Sequence, residues 1–219
     1  RRVSKDFIKN YSIPFPESIE AQRRIVSILD RAFESIDKAK ENVEKNLENS
    51  KELFESYLES IFTNLGEKDE RKALSLVANT WGRIGWKGLS AKEYTKDGPL
   101  FLSVHSLNFG DYVDFKRAYH ISQVRYDESP EIMLRKDDIL ICKDGAGIGK
   151  LGIVPDLPSQ TTINSSLLLI RCKEGTIPKY LYYNLLSPIF QNIVKSKLMG
   201  ATTPHLYQRD IVTFPILSK

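Results

Sequence analysis

Seven consecutive residues, Asp144-Gly145-Ala146-Gly147-Ile148-Gly149-Lys150, come nearest to a chemical motif in this chain. A glycine-rich loop ending in lysine can cradle phosphates, with backbone N–H groups and the lysine both aimed at the anion. That loop needs four residues between its first glycine and Gly-Lys, then Ser or Thr to hold the metal. Here Gly145 and Gly149 enclose three residues and Leu151 follows the lysine. The segment therefore reads as a tight turn between two strands, with Lys143 and Lys150 left to meet a phosphate backbone.

Other chemistries lack their residues. His105, His120 and His205 share no metal-ligand spacing, and with Cys142 and Cys172 they form no zinc signature. Nothing aligns a serine, a histidine and an acid as a triad. No Asn-Pro-Pro-Tyr motif of an amino-methyltransferase occurs, nor a glycine-rich loop for S-adenosylmethionine. The expectation is a chain with no catalytic residue, no metal and no cofactor. Both cysteines sit in apolar segments without C-x-x-C spacing, which suits buried free thiols in a reducing compartment.

Two loops instead have the composition of recognition surfaces. Residues 80–88 combine Trp81 and Trp86 with Arg83, Lys87 and three glycines. Aromatic faces beside bases can stack or position a backbone, and arginine can read guanine edges. Residues 200–209 carry Thr202, Thr203, His205, Tyr207, Gln208 and Arg209, after a helical pattern that ends in Lys195 and Lys197. Threonine, glutamine and arginine are direct-readout residue types. With His105, Lys143 and Lys150 these are the candidate DNA contacts. The competing reading is that the tryptophans cover the core and the second loop caps a helix.

Charge separates the elements that would hold these loops. Residues 17–70 carry 8 Lys/Arg against 14 Asp/Glu, whereas 71–219 carry 20 against 13, within a net charge of +4. The helical segment is acidic and the remainder basic, and a basic surface suits a polyanion. No apolar run approaches the roughly 18 residues that span a bilayer, and the N-terminus has no apolar signal-peptide core.

The acidic segment predicts one long helix. Ser18 is the N-cap, with Glu17 and Glu20 at the positive end. Apolar or small residues recur at Ile25, Leu29, Ala32, Ile36, Ala39, Val43, Leu47, Ser50, Phe54, Tyr57 and Ile61, a heptad seam with one stutter between Val43 and Leu47. Such a rod, roughly 70 Å long, cannot bury its seam alone, and the sequence has no second helix of similar length. Ile25, Leu29, Ile36, Val43, Leu47, Phe54, Tyr57 and Ile61 are therefore the expected dimerisation residues. A single solvated helix linking domains is the alternative.

Beyond it, apolar runs at 100–104, 138–142, 151–154 and 166–171 read as strands, and 179–197 as one or two helices interrupted at Pro188. The fold class is α+β: a globular domain with a mixed sheet and C-terminal helices, plus one long helix forming an antiparallel coiled coil with a partner. The expected boundaries are a terminal segment at 1–16, the helix at 17–66, a linker at 67–75 and the globular domain at 76–219.

The two ends echo each other. Lys5-Asp6-Phe7-Ile8 with Ile13-Pro14-Phe15-Pro16 returns as Arg209-Asp210-Ile211-Val212 with Phe214-Pro215-Ile216-Leu217. Such an echo signals repeat architecture.

Three motifs in order resemble the specificity (S) subunits of type I restriction–modification enzymes. They are Ile13-Pro14-Phe15-Pro16 with Ile19 to Val26 and Leu29-Asp30; Leu134 to Ile141 with Gly145-Ala146 and Ile148-Gly149-Lys150; and Gly200 to Leu206 with Asp210-Ile211 and Phe214-Pro215. Asp137 stands where that family usually has glycine. The resemblance implies a non-catalytic cytoplasmic subunit that reads double-stranded DNA and docks methyltransferase (M) subunits; a nuclease–translocase (restriction, R) subunit can join. In that family two recognition domains each read half of a split target, and two antiparallel helices set the gap. Here one domain and one helix are present, which reads either as a fragment of a larger specificity subunit or, the preferred reading, as a half-subunit whose homodimer supplies the missing helix on a gapped palindrome. A coiled-coil adaptor whose basic domain contacts protein is the other function class consistent with the residues, and an enzyme of another family is the third.

Overall fold

The computed structural model describes residues 3–66, 71–83, 89–108, 110–198 and 205–217. The chain divides into two compact units, Arg1–Leu53 and Phe54–Lys219.

The first unit is helical. Helix α1 (Lys5–Asn10) is capped by the Ser4 hydroxyl, which accepts from the Phe7 N–H at 3.2 Å. Helix α2 (Ile19–Gly66) starts as the sequence predicts, with Ser18 Oγ accepting from the Ala21 N–H at 3.4 Å. The α2 apolar residues within this unit, including Ile25, Leu29, Ile36, Val43 and Leu47, are all exposed. They are joined by Val26, Ile28 and Phe33, so between Ile25 and Ile36 the apolar face is wider than a two-residue seam.

Among its described residues, the second unit is built on three sheets. Strands β1 (Arg71–Ala73) and β9 (Pro215–Leu217) pair antiparallel and close the two ends of the unit on each other. The central sheet has the order β2 (Ala78–Gly82), β8 (Leu167–Cys172), β5 (Ile139–Cys142), β6 (Leu151–Ile153), all antiparallel. The third pairs β4 (Tyr119–Ile121) antiparallel and β7 (Thr161–Ile163) parallel to β3 (Tyr94–Leu102). Short helices α3 (Leu74–Val77) and α4 (Gln123–Asp127) follow β1 and β4.

The continuous apolar runs of β5 and β8 are explained by burial on both faces. Ile139, Ile141, Leu168 and Ile170 face one core, made with α5 (Pro178–Leu186), α6 (Pro188–Leu198) and α7 (Gln208–Val212). Leu140, Cys142, Leu167 and Leu169 face the other, with Leu102 and Ile163 of the third sheet. Side chains alternate along a strand, so the length covered on both faces is apolar, and Arg171 comes only at the half-buried end of β8. Pro178 and Pro188 each open a helix, where their missing N–H is not needed.

The last turns of α2 belong to this unit. Leu58 and Phe62 are buried against Leu217, Tyr180, Tyr183, Leu186 and Ile189. Phe54, Tyr57 and Ile61 point elsewhere and stay exposed. The helix end therefore carries two apolar faces, one used by its own unit and one uncovered.

The terminal echo has opposite fates. Ile211, Phe214, Ile216 and Leu217 are buried, whereas Phe7, Ile8, Ile13 and Phe15 are at least 59% exposed.

Asp137 adopts φ +67°, alone among the described non-glycine residues in having positive φ. Glycine takes this conformation without steric cost, and aspartate tolerates it better than most. Asp137→Gly is expected to raise unfolding free energy by about 0.5–1 kcal/mol, read from urea unfolding. A loss of stability would mean that the Asp137 side chain makes a compensating contact.

Candidate nucleic-acid interface

The glycine-rich segment is a hairpin turn, as its spacing predicts. Cys142 and Lys150 close it: the Cys142 N–H donates to Lys150 O at 2.8 Å and the Gly149 N–H to Cys142 O at 2.9 Å. Gly145 and Gly149 have φ of +75° and +86°. Gly147 is required for a different reason, since a Cβ there would lie 2.5 Å from the Val104 side chain. The turn joins two antiparallel strands and no helix follows it, so it lacks the strand–helix setting of a nucleotide loop.

Two segments grip this hairpin. The Lys143 N–H donates to Ser166 O at 2.8 Å, ahead of β8. On the other side the Leu206 N–H donates to Lys143 O at 2.9 Å, and Asp144 and His205 form an isolated antiparallel bridge. The His205 Nδ1 and Asp144 Oδ1 atoms are also paired directly. The turn and the C-terminal segment, which the sequence analysis names separately, are thus one structure.

Three depressions run together around it. A cavity of about 400 Å³ is lined by His105, Asn108, Asp144, Lys150 and Ser166, among others. His105 also lines a neighbouring cavity of about 350 Å³ with Arg117 and Tyr119. Asn108 and Lys150 also line a third, about 470 Å³, which reaches Gln191 and Lys195. The Lys150 ammonium donates to Asn108 Oδ1 at 2.6 Å, which fixes the rim shared by the first and third. Lys195, Lys150, His105 and Arg117 therefore mark one track of positive or protonatable groups, with Asp144 in the first cavity and Asp111 and Glu55 in the third as the acids beside them. Beyond the hairpin, exposed Tyr207 lies tilted against His205, with ring centroids 4.4 Å apart, and the Arg209 guanidinium lies over its ring, 4.5 Å from the centroid. Such a cation–aromatic contact draws the guanidinium to the ring face electrostatically.

Other predicted contacts lie elsewhere. Arg83 is corrected by the structure: at 3% exposure it is a core residue. Its Nε donates to Ile163 O at 3.1 Å, its Nη1 faces Ser129 Oγ at 3.4 Å, and its guanidinium lies over Phe101. Burial, and next the Arg125 charge, pull its pKa below the ordinary arginine value. It cannot reach a base edge without abandoning these bonds. Trp81 is half-buried against the β5–β8 core, with Arg171 over its ring, so its face is occupied. Gln208 donates from its amide to Thr80 O at 2.7 Å, a positioning bond. Lys197 falls in the last turn of α6. Trp86, Lys87, Thr202 and Thr203 lie outside the described residues.

Arg117, Tyr119, Asn108 and Ser166 were not singled out from the sequence. The run Lys116-Arg117-Ala118-Tyr119-His120 does mix bases with an aromatic ring, the same signal that marks the tryptophan loop. Asn108 and Ser166 carry no such signal.

Among the described residues, no group of three or more His, Cys, Asp or Glu could hold a metal, and no helix is long and apolar enough to cross a membrane. Cys142 is buried and Cys172 half-buried. Burial, and then the Asp138 and Asp137 carboxylates, push the Cys172 thiol up to about 11.

No family model matches the chain, and no curated protein does. Solved structures do. A chain from a structure of complex assembly and conformational transition of the type I R-M system superposes with a TM-score of 0.66 at 19% identity, covering 98% of this chain and 51% of that one. The HsdS subunit from Thermoanaerobacter tengcongensis superposes with a TM-score of 0.54 at 17% identity, covering 99% and 51%. The fold is that of half a type I specificity subunit. The chain spans about half the length of these solved chains, and α2, the mixed sheets and the C-terminal helices together make up the specificity-subunit half.

Proposed function

We propose that this chain is a sequence-specific DNA-binding half-subunit of a type I restriction–modification system, reading one half of a bipartite duplex target. The observation that carries the reading is the superposition of nearly the whole chain on half of such subunits. The track of Lys195, Lys150, His105 and Arg117 beside the hairpin supports DNA as the ligand. In this reading the residues beyond α2, the span assigned to 76–219, are the recognition domain. Lysines and arginines hold phosphates, and the hairpin with the His205–Arg209 segment approaches base edges. The chain itself performs no chemistry; methyltransferase subunits, docked on α2, supply it, and a restriction subunit completes the nuclease.

The exposed seam supports pairing of α2 with a second copy. Two antiparallel copies supply the helix pair and both recognition domains, and a twofold axis demands a palindromic, gapped target. Residues 1–16 repeat, with exposed apolar groups, the phrase that closes the second unit. They fit the closing segment of a recognition domain.

Filter binding over a salt series tests the reading. On a duplex holding a single half-site, five phosphate contacts, from Lys143, Lys150, Lys195, Arg117 and Arg209, give a log–log slope of about −4 to −5. Affinity then falls roughly 500-fold between about 50 and 200 mM salt, with sequence preference retained. Lys195→Ala is expected to reduce that slope by about 0.9 and to weaken all duplexes alike. Salt-independent binding, or none, would favour the protein-adaptor class.

A further inference from the structure

We propose that Asp144 is a specificity-determining residue of this interface, accepting a hydrogen bond from the exocyclic amino group of a cytosine or adenine in the major groove; the inference rests on the DNA-reading function above. Asp144 is the single acidic residue lining the two cavities that share His105. Its side chain is 33% exposed and lies among Lys143, Lys150, His105 and His205. A carboxylate in a surface meant for a polyanion is repelled by every phosphate. His205 and Lys143 offset part of that cost within the protein, and a hydrogen-bond donor on the DNA offsets more of it.

Elimination identifies the donor. An ionised carboxylate accepts and never donates. In the major groove, guanine presents two acceptors and thymine an acceptor and a methyl group. The donors there are the amino groups of cytosine N4 and adenine N6. Every base pair carries one such donor, so Asp144 facing the groove selects the pair and orientation that bring cytosine N4 or adenine N6 to its carboxylate.

The carboxylate is also held ready. His205 occupies its Oδ1, and the Lys143 ammonium stands 3.6 Å from Oδ2. The Cys142 thiol donates to the Asp144 carbonyl at 3.1 Å, and the bridge to His205 fixes the backbone. A carboxylate has about four lone-pair sites, so these contacts leave acceptor capacity towards the cavity. His205 is then a positioning residue, and the preorganised rotamer saves ordering cost on binding.

Binding-site selection from a randomised duplex pool, run with the wild-type chain and Asp144→Ala, tests this. The wild type should select one base pair, in one orientation, at the position that Asp144 reads in each half-site. The variant should lose that preference by about 10-fold or more and keep every other position. Wild-type affinity for duplexes in which the selected cytosine becomes a 2-pyrimidinone, or the selected adenine becomes purine, should fall by a similar factor. The Ala variant should be indifferent to that change. The two analogues distinguish cytosine from adenine, and the wild-type arm stands even if the variant folds poorly. An unchanged selection in the variant, or indifference of the wild type to amino-group removal, overturns the proposal while DNA reading stands. A wild type that selects no sequence overturns DNA reading itself.

Discussion

Asp138→Ala should cost the second unit about 3–5 kcal/mol of unfolding free energy, the range for breaking a buried ion pair by removing one partner. Asp138 is 1% exposed. The Arg171 guanidinium grips it with two bonds, Nε to Oδ1 and Nη2 to Oδ2, each 2.7 Å. The Arg135 N–H donates to the same Oδ2 at 2.7 Å, and Arg171 Nη2 also donates to Met133 O at 2.9 Å. Truncation strands the guanidinium between Trp81 and β5 with its fixed partner gone. It also leaves the Arg135 N–H unpaired at the entrance to the central strand. At about 2–4 °C per kcal/mol for a unit of this size, the midpoint should fall by about 10 °C. Replacing both partners, Asp138→Leu with Arg171→Met, should recover part of the loss, because the desolvation cost of two charges disappears with their attraction. Urea unfolding of the three variants reads this directly. A single-variant loss below about 1 kcal/mol would place the pair with ordinary surface ion pairs.

The second large effect concerns α2. Leu29→Asp should weaken self-association about 1000-fold while leaving the helix of the separated chain nearly unchanged. Leu29 lies in the widest part of the apolar face, between Ile25 and Ile36, and is 49% exposed in the single chain. In a twofold pair each substitution occurs twice. Two central contacts of about 2 kcal/mol each give about 4 kcal/mol, which is about three decades in dissociation constant. Aspartate is only slightly worse than leucine as an interior helix residue, so circular dichroism of the monomer should change little. Light scattering over a concentration series checks both parts. A wild-type mass near twice 25.1 kDa with a monomeric variant is the expected pair of results. Equal dimerisation of both chains would move the interface off this face.

How far the sequence carried this account depends on how local each signal was. The long helix, its Ser18 cap and its exposed seam follow from a period and a cap residue, which are properties of neighbouring positions. The strands around 139–142 and 167–172 follow from apolar runs, and the split at Pro188 from proline's missing N–H. The run at 100–104 overshoots: β3 ends at Leu102, and the chain turns where the Ser106 N–H donates to Ser103 O. Long-range partners were not legible. Arg83 looked like a surface base because its bonds are made 80 residues away to Ile163 and 46 away to Ser129. The β1–β9 closure and the parallel β3–β7 pairing are equally non-local. The track was half visible: Lys150, Lys195 and His105 stand out by type, whereas Asn108 and Ser166 qualify only by where the fold puts them. Asp137 is the reverse case, since its departure from the family's glycine marked a position whose φ of +67° explains the preference.

The central claim is that two copies of this chain, paired through α2, read two inverted half-sites on one duplex. Binding-site selection by the purified wild-type chain from a randomised pool, at physiological salt, tests it most directly. The account predicts a recovered consensus made of two inverted copies of one short sequence, separated by a gap of constant length and undefined composition. A single ungapped motif, or a pool that emerges without enrichment, would contradict it.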